Sequence, residues 1–66
     1  MILTIEQENI VAIYRCPTRI DTISAIQTAM KFLLDSEDIG MFSSCLKMLE
    51  SASDEEFTTY TAILAE

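Results

Sequence analysis

Four segments of the chain carry apolar residues at the three- and four-residue spacing of an α-helix, and none shows the strict alternation of a β-strand. The first predicted helix runs from Ile5 to Tyr14. Thr4 and Gln7 open it in the pattern of a capping box, in which each side chain bonds a backbone N–H at the helix start. Pro17 prevents its continuation, because proline lacks an N–H and disfavours helical angles at the preceding residue.

The strongest helical periodicity lies in the second segment. Thr18 is its predicted cap, and no helix breaker interrupts the residues from Arg19 to Leu34. Phe32 falls off the main apolar arc, where it would face solvent or a neighbouring molecule. The residues assigned to the buried arc are Ile20, Ile23, Ile26, Met30, Leu33 and Leu34.

The third predicted helix is capped by Asp35 or Ser36 and is weakened near its start by Gly40. A second capping box, Ser53 with Glu56, opens a short last helix. The buried face of the third helix is predicted to hold Phe42, Cys45, Leu46, Leu49 and Ala52, and that of the last helix Phe57, Tyr60 and Leu64. The chain is therefore predicted to be all-α: a single domain over residues 1–66, folded as a compact bundle of three main helices plus a short C-terminal helix.

Charge is distributed unevenly along the 66 residues, which carry a net charge of −7. Acidic and basic residues balance over residues 1–34, so the whole net charge falls in residues 35–66. Clustered cations are needed to bind phosphates, and only Arg15 and Arg19 approach that arrangement, beside Tyr14. Direct nucleic-acid binding is therefore not expected. The acidic half is predicted to be either a solvated surface or a patch that docks onto a basic partner.

The two cysteines, Cys16 and Cys45, are far apart in sequence and are expected to be free, partly buried thiols. The N-terminus lacks the basic residue of a signal peptide, and the longest uncharged apolar run is far below the roughly 20 residues of a membrane span. A cytoplasmic location is the resulting expectation.

The residues offer little catalytic chemistry, since the chain contains no histidine and a single glycine. Asp35, Glu37 and Gly40 match the start of a calcium-binding EF-hand loop, but the pattern fails at Ile39 and at Leu46, where the bidentate glutamate should stand. The run 54–56 of three carboxylates lies in a helix first turn, which favours their charged form and not the raised pKa of a general acid. We expect no enzyme activity, no catalytic or metal-binding residue and no cofactor.

Three stretches of the chain resemble, in the same order, the small transposon-transfer assisting proteins of conjugative elements in Gram-positive bacteria. They are residues 3–14, the segment from Thr18-Arg19 to Ile23-Ser24-Ala25-Ile26, and the segment from Leu46 to Phe57. The resemblance implies a helical, cytoplasmic accessory protein of a mobile element, without a known cofactor. Surface residues shared with the family pattern are candidates for structure or partner contact: Arg19, Asp54, Glu55 and Glu56.

Three functional hypotheses follow. The leading one is a non-enzymatic accessory protein that assists transfer by binding a protein partner. The alternative is an acidic decoy that imitates DNA and occupies a nucleic-acid-binding enzyme, such as a restriction enzyme. The third is a homodimer that covers an exposed apolar stripe, with Phe32 as a candidate contact.

Overall fold

The computed structural model describes residues 1–64, with side chains through residue 62. Within them the chain forms four α-helices and no strand, as the periodicity predicted. The helices are α1 (Ile5–Tyr14), α2 (Arg19–Met30), α3 (Ser36–Ser51) and α4 (Asp54–Leu64). No helix among these residues is both long and apolar enough to cross a lipid bilayer.

Each helix begins at the cap that its sequence predicted. The Thr4 hydroxyl accepts the Gln7 N–H, and the Gln7 side chain accepts the Thr4 N–H in return. Ser53 and Glu56 make the same reciprocal pair ahead of α4. The Thr18 hydroxyl accepts the Asp21 N–H at the start of α2. These bonds satisfy amide groups that have no partner inside the helix, so they place the helix starts independently of the core.

The core forms where α3 packs against both α1 and α2, while α4 covers one side of α1 and α2. Phe57 brings the largest buried side chain to it, and the thiol of Cys45 is completely enclosed. Half-buried Met30, Met41 and Met48 fill its margin, in keeping with the adaptable shape of methionine. The core cluster is Leu3, Ile10, Val11, Ile23, Ile26, Cys45, Leu46, Leu49 and Phe57.

The predicted extension of α2 to Leu34 was wrong, because the helix ends at Met30. The N–H groups of residues 31, 32 and 33 bond carbonyls three residues back, which tightens the chain into a turn. Asp35 then takes an extended conformation so that its carboxylate can cap α3 through the Glu37 N–H. Leu34, assigned to the core, is 98% exposed as a result.

The predicted apolar arc of α2 was also wrong at its first position. Ile20 is 61% exposed, whereas the polar Thr22 is completely buried. The Thr22 hydroxyl donates to the Thr18 carbonyl oxygen and accepts the Cys16 N–H, both within 3.0 Å. Because these bonds satisfy its polar group, Thr22 can lie in the core, and its place on the helix turns Ile20 outward.

Replacing Gly40 with alanine is expected to raise the free energy of unfolding by up to about 1 kcal/mol. Gly40 lies in α3 with ordinary helical angles, and a methyl group added to it would meet no atom within 4 Å. The gain comes from the lower backbone entropy of alanine in the unfolded chain. Chemical denaturation of the wild type and the variant measures it, and a loss of stability would show that residue 40 is not an open helical position.

Candidate functional site

Arg19, the first predicted contact residue, joins three helices at one end of the bundle. From the start of α2 its Nε donates to Asp54 Oδ1 at 2.8 Å, and its Nη1 donates to the Leu49 carbonyl oxygen at 3.0 Å. The guanidinium is largely covered, with 18% of the side chain exposed, while the Asp54 carboxylate is mostly in solvent. The pair therefore completes the exposed carbonyl end of α3 and holds the start of α4 beside it.

Arg15 is also occupied within the molecule. It follows the last residue of α1, as predicted, but its Nη1 donates to the Thr61 carbonyl oxygen of α4 at 3.2 Å. Of the two arginines considered for nucleic-acid contact, Arg15 thus donates to a backbone carbonyl, and Arg19 donates to a backbone carbonyl and to the Asp54 carboxylate. Both arginine side chains therefore make contacts within the fold.

Glu55 and Glu56 lie on the opposite side of the α4 start, where they line a shallow pocket of about 360 Å³. Glu56 completes the capping box and accepts a 3.0 Å bond from the Met1 ammonium group. That ammonium group, together with the Ser53 N–H, lowers the pKa of the Glu56 carboxyl. Three of the four predicted contact residues are thus engaged inside the chain, whereas the Glu55 side chain bonds none of the residues that the structure describes.

Packing shifts the pKa values of two further side chains, Tyr60 and Cys45. Burial of the Tyr60 ring, and then the 2.6 Å hydrogen bond that its hydroxyl donates to Glu8, raise the pKa of Tyr60 to about 12. Burial likewise raises the pKa of the Cys45 thiol, which keeps it protonated and unreactive. Both cysteines are free, as expected, with Cys16 half-buried.

Reactive groups do not converge anywhere among residues 1–64. No three metal-binding side chains lie together there, and the calcium-like segment instead caps α3 through Asp35. The two pockets beside the α4 start are lined by residues of the N-terminus, of the α2 start and of the first two turns of α4.

Two of the most exposed large apolar residues lie in the connection between α2 and α3. We call residues 32–39 the apolar-acidic corner. Phe32 is 79% exposed and Leu34 is almost entirely in solvent, while Ile39 projects partly from the first turn of α3. Three exposed carboxylates are interspersed with them: Asp35, Glu37 and Asp38. Sequence periodicity wrongly placed Leu34 in the core. The predicted Asp35 cap, directly after Leu34, was a sign that α2 ends before this residue.

A second exposed apolar surface runs along α1. Ile5 and Ile13 are 74% and 72% exposed, and Asn9 and Ala12 lie between them on the same outward face. We call these four residues the α1 stripe. The sequence already indicated this surface, because α1 has apolar residues on two opposite faces and the core can cover only one of them.

A family profile described as "Putative transposon-transfer assisting protein" matches residues 3–64, which is nearly the whole chain. The chain belongs to this family. The match spans all four helices, the Arg19 bridge and the apolar-acidic corner. No curated protein and no solved structure gave a match.

Replacing Arg19 with methionine is expected to lower the free energy of unfolding by about 1–3 kcal/mol, because it leaves the Leu49 carbonyl oxygen without its charged donor. Asp54→Asn, which removes only an exposed carboxylate charge, is expected to cost less than about 1 kcal/mol. Denaturant unfolding of the two single variants and the double variant separates the contributions. Equal losses would mean that the ion pair, and not the carbonyl contact, makes Arg19 important.

Alkaline pH is expected to destabilise the fold through Tyr60. A tyrosine ionises near pH 10 in the unfolded chain, whereas Tyr60 in the fold has a pKa of about 12. The unfolded state therefore loses its proton first, and stability falls as pH rises from about 10 to about 12. Unfolding measured across this range in the wild type and in Tyr60→Phe tests the assignment, since the phenylalanine variant should lose this part of the pH dependence.

Proposed function

We propose that the protein assists transfer of a conjugative element as a non-enzymatic accessory protein that acts by binding a protein partner in the cytoplasm. Membership of the family supports the transfer role. The observation that carries the mode of action is the apolar-acidic corner, which presents large apolar side chains and carboxylates together.

The corner has the properties of a contact surface. Single exposed apolar residues are normal on proteins, but a group of them within eight residues is more typical of an interaction site. The turn that carries Phe32 and Leu34 is held by consecutive backbone hydrogen bonds from residues 31–33. A partner would therefore meet a surface that is already ordered, which lowers the entropic cost of association.

Charge indicates the kind of partner. The carboxylates of Glu37 and Asp38 follow Phe32 and Leu34 directly along the chain, and residues 35–66, which begin within the corner, carry all of the net negative charge. A segment with apolar anchors bordered by lysine or arginine would complement this surface, and opposite charges would speed its approach. Such a segment on a relaxase, a coupling protein or an element-encoded regulator is the partner we propose.

The residues at the α4 start have a smaller part in this proposal. Arg19, Asp54 and Glu56 are engaged inside the fold, so their role is to position α3 and α4. Glu55 is free to contribute a rim contact. The alternative of a DNA-imitating decoy gains no support from these positions, because several carboxylates that would have to imitate phosphates are used as caps and ion pairs.

Two linked measurements test the proposal in a host that carries the element. The double variant Phe32→Ser/Leu34→Ser removes the apolar side chains of the corner, and Ile20→Ser removes one exposed apolar side chain elsewhere. We expect tagged wild type and Ile20→Ser to capture a transfer protein above a charge-matched acidic control, and the corner variant to capture at least tenfold less. When each replaces the wild-type gene, only the corner variant should lower transfer frequency.

Thermal unfolding first checks that the corner variant remains folded, which is expected because its altered side chains are exposed. Unchanged capture and transfer with the corner variant would rule out the corner as the contact. Recovery of restriction or other DNA-binding enzymes, lost at raised salt, would favour the decoy instead.

A further inference from the structure

Two of the four helices end in backbone carbonyls that an arginine of the same chain completes. At the end of α3, Arg19 donates through Nη1 to the Leu49 carbonyl oxygen and through Nε to Asp54, the first residue of the next helix. In the last turn of α4, Arg15 meets the Thr61 carbonyl oxygen in the same way. These are the two arginines of the chain, so none is left for the end of α2.

The junction between α2 and α3 has the same chemistry as the α3 end, but without the arginine. The N–H groups of residues 31–33 use the carbonyls of residues 28–30, and the carbonyls of residues 31–34 accept no backbone hydrogen bond within the part of the chain that the structure describes. Open carbonyls at a helix end carry partial negative charge and need an outside donor. The next helix brings the exposed carboxylates of Glu37 and Asp38 to this junction in its first turn, as α4 brings Asp54 to the α3 end.

The nearest cation of the chain does not fill this junction. Lys31 is the C-cap residue of α2, but its ammonium group takes part in neither of the ion pairs formed among the described residues. Residues 31–39 carry this one positive charge against three negative ones. The ring of Phe32, next to Lys31, is 79% exposed. The junction therefore offers carbonyl oxygens, carboxylates and an exposed aromatic ring to a cation from another molecule.

We propose that the α2–α3 junction is an arginine-binding site, at which one arginine of the protein partner completes the end of α2 as Arg19 completes the end of α3. The inference rests on the proposed function, because the junction belongs to the apolar-acidic corner. It adds the identity of the residue by which the partner is anchored there.

The chemistry of the junction suits arginine better than lysine. A guanidinium is a planar fork with five N–H donors, so it can donate to a carbonyl and to a carboxylate at once, as Arg19 does. Its plane also stacks favourably on an aromatic ring such as that of Phe32. The ammonium group of lysine is compact and strongly hydrated, so it is attracted by the carboxylates but gains less from the ring and from paired acceptors.

Two blocked tripeptides that differ in one residue test the site: leucine-arginine-leucine and leucine-lysine-leucine, each capped at both ends. Titration of the folded protein is followed residue by residue by NMR. The arginine peptide should shift the amide signals of residues 31–38 and bind at least about threefold more tightly than the lysine peptide. The signals of residues 49–56 should move little, because Arg19 already occupies that junction.

Three exposed positions supply the variants. Phe32→Leu keeps an apolar side chain but removes the ring, so it should lose most of the preference for arginine. Glu37→Gln should weaken the binding of both peptides. Glu55→Gln is its matched control, since Glu55 is likewise the second residue of its helix, and it should leave both affinities unchanged at physiological ionic strength. Thermal unfolding checks that each variant remains folded.

Three outcomes would overturn the proposal. They are equal binding of the two peptides to the wild type, shifts centred on residues 49–56, and an arginine preference that both Phe32→Leu and Glu37→Gln leave intact. The proposed function fails by a different result, namely capture of a transfer protein that the corner variant does not reduce. If capture depends on the corner but the two peptides bind equally, the partner contact stands and the arginine site is wrong.

Discussion

Arg19 determines how the ends of the helices meet. A chain of this size leaves much of its surface in water, so its helix ends contribute a large share of the polar groups that must be satisfied. One guanidinium completes the end of α3, pairs with the start of α4 and belongs to the start of α2. The Arg19 side chain thereby links the two ends of the short connection between α3 and α4.

The need to satisfy polar groups at helix ends also explains where the acidic residues lie. Most carboxylates stand in the first turns of helices, where they cap amide groups or complement the helix dipole, and Asp54 and Glu56 are also ion-paired. Capping and ion pairing thus account for several of these carboxylates as structural contacts.

Two surfaces remain apolar after the core is complete, and they differ in charge. The apolar-acidic corner combines Phe32 and Leu34 with carboxylates, whereas the four residues of the α1 stripe carry no charge. They lie on separate elements of the fold.

The sequence by itself determined the all-α class, the four helices, each helix start and most of the core, because caps and apolar periodicity are local properties of the chain. The end of α2 depended on tertiary structure, since the turn that lets α3 fold back on α2 places Leu34 in solvent against its periodicity. The engagement of Arg19 with Asp54 likewise required a contact between residues distant in sequence. Thr22 lies in the core in place of Ile20 because its hydroxyl bonds the nearby backbone of Cys16 and Thr18, which apolar periodicity does not register. Which apolar residues stay exposed also depended on tertiary structure, because the packing of the helices determines which side chains the core covers.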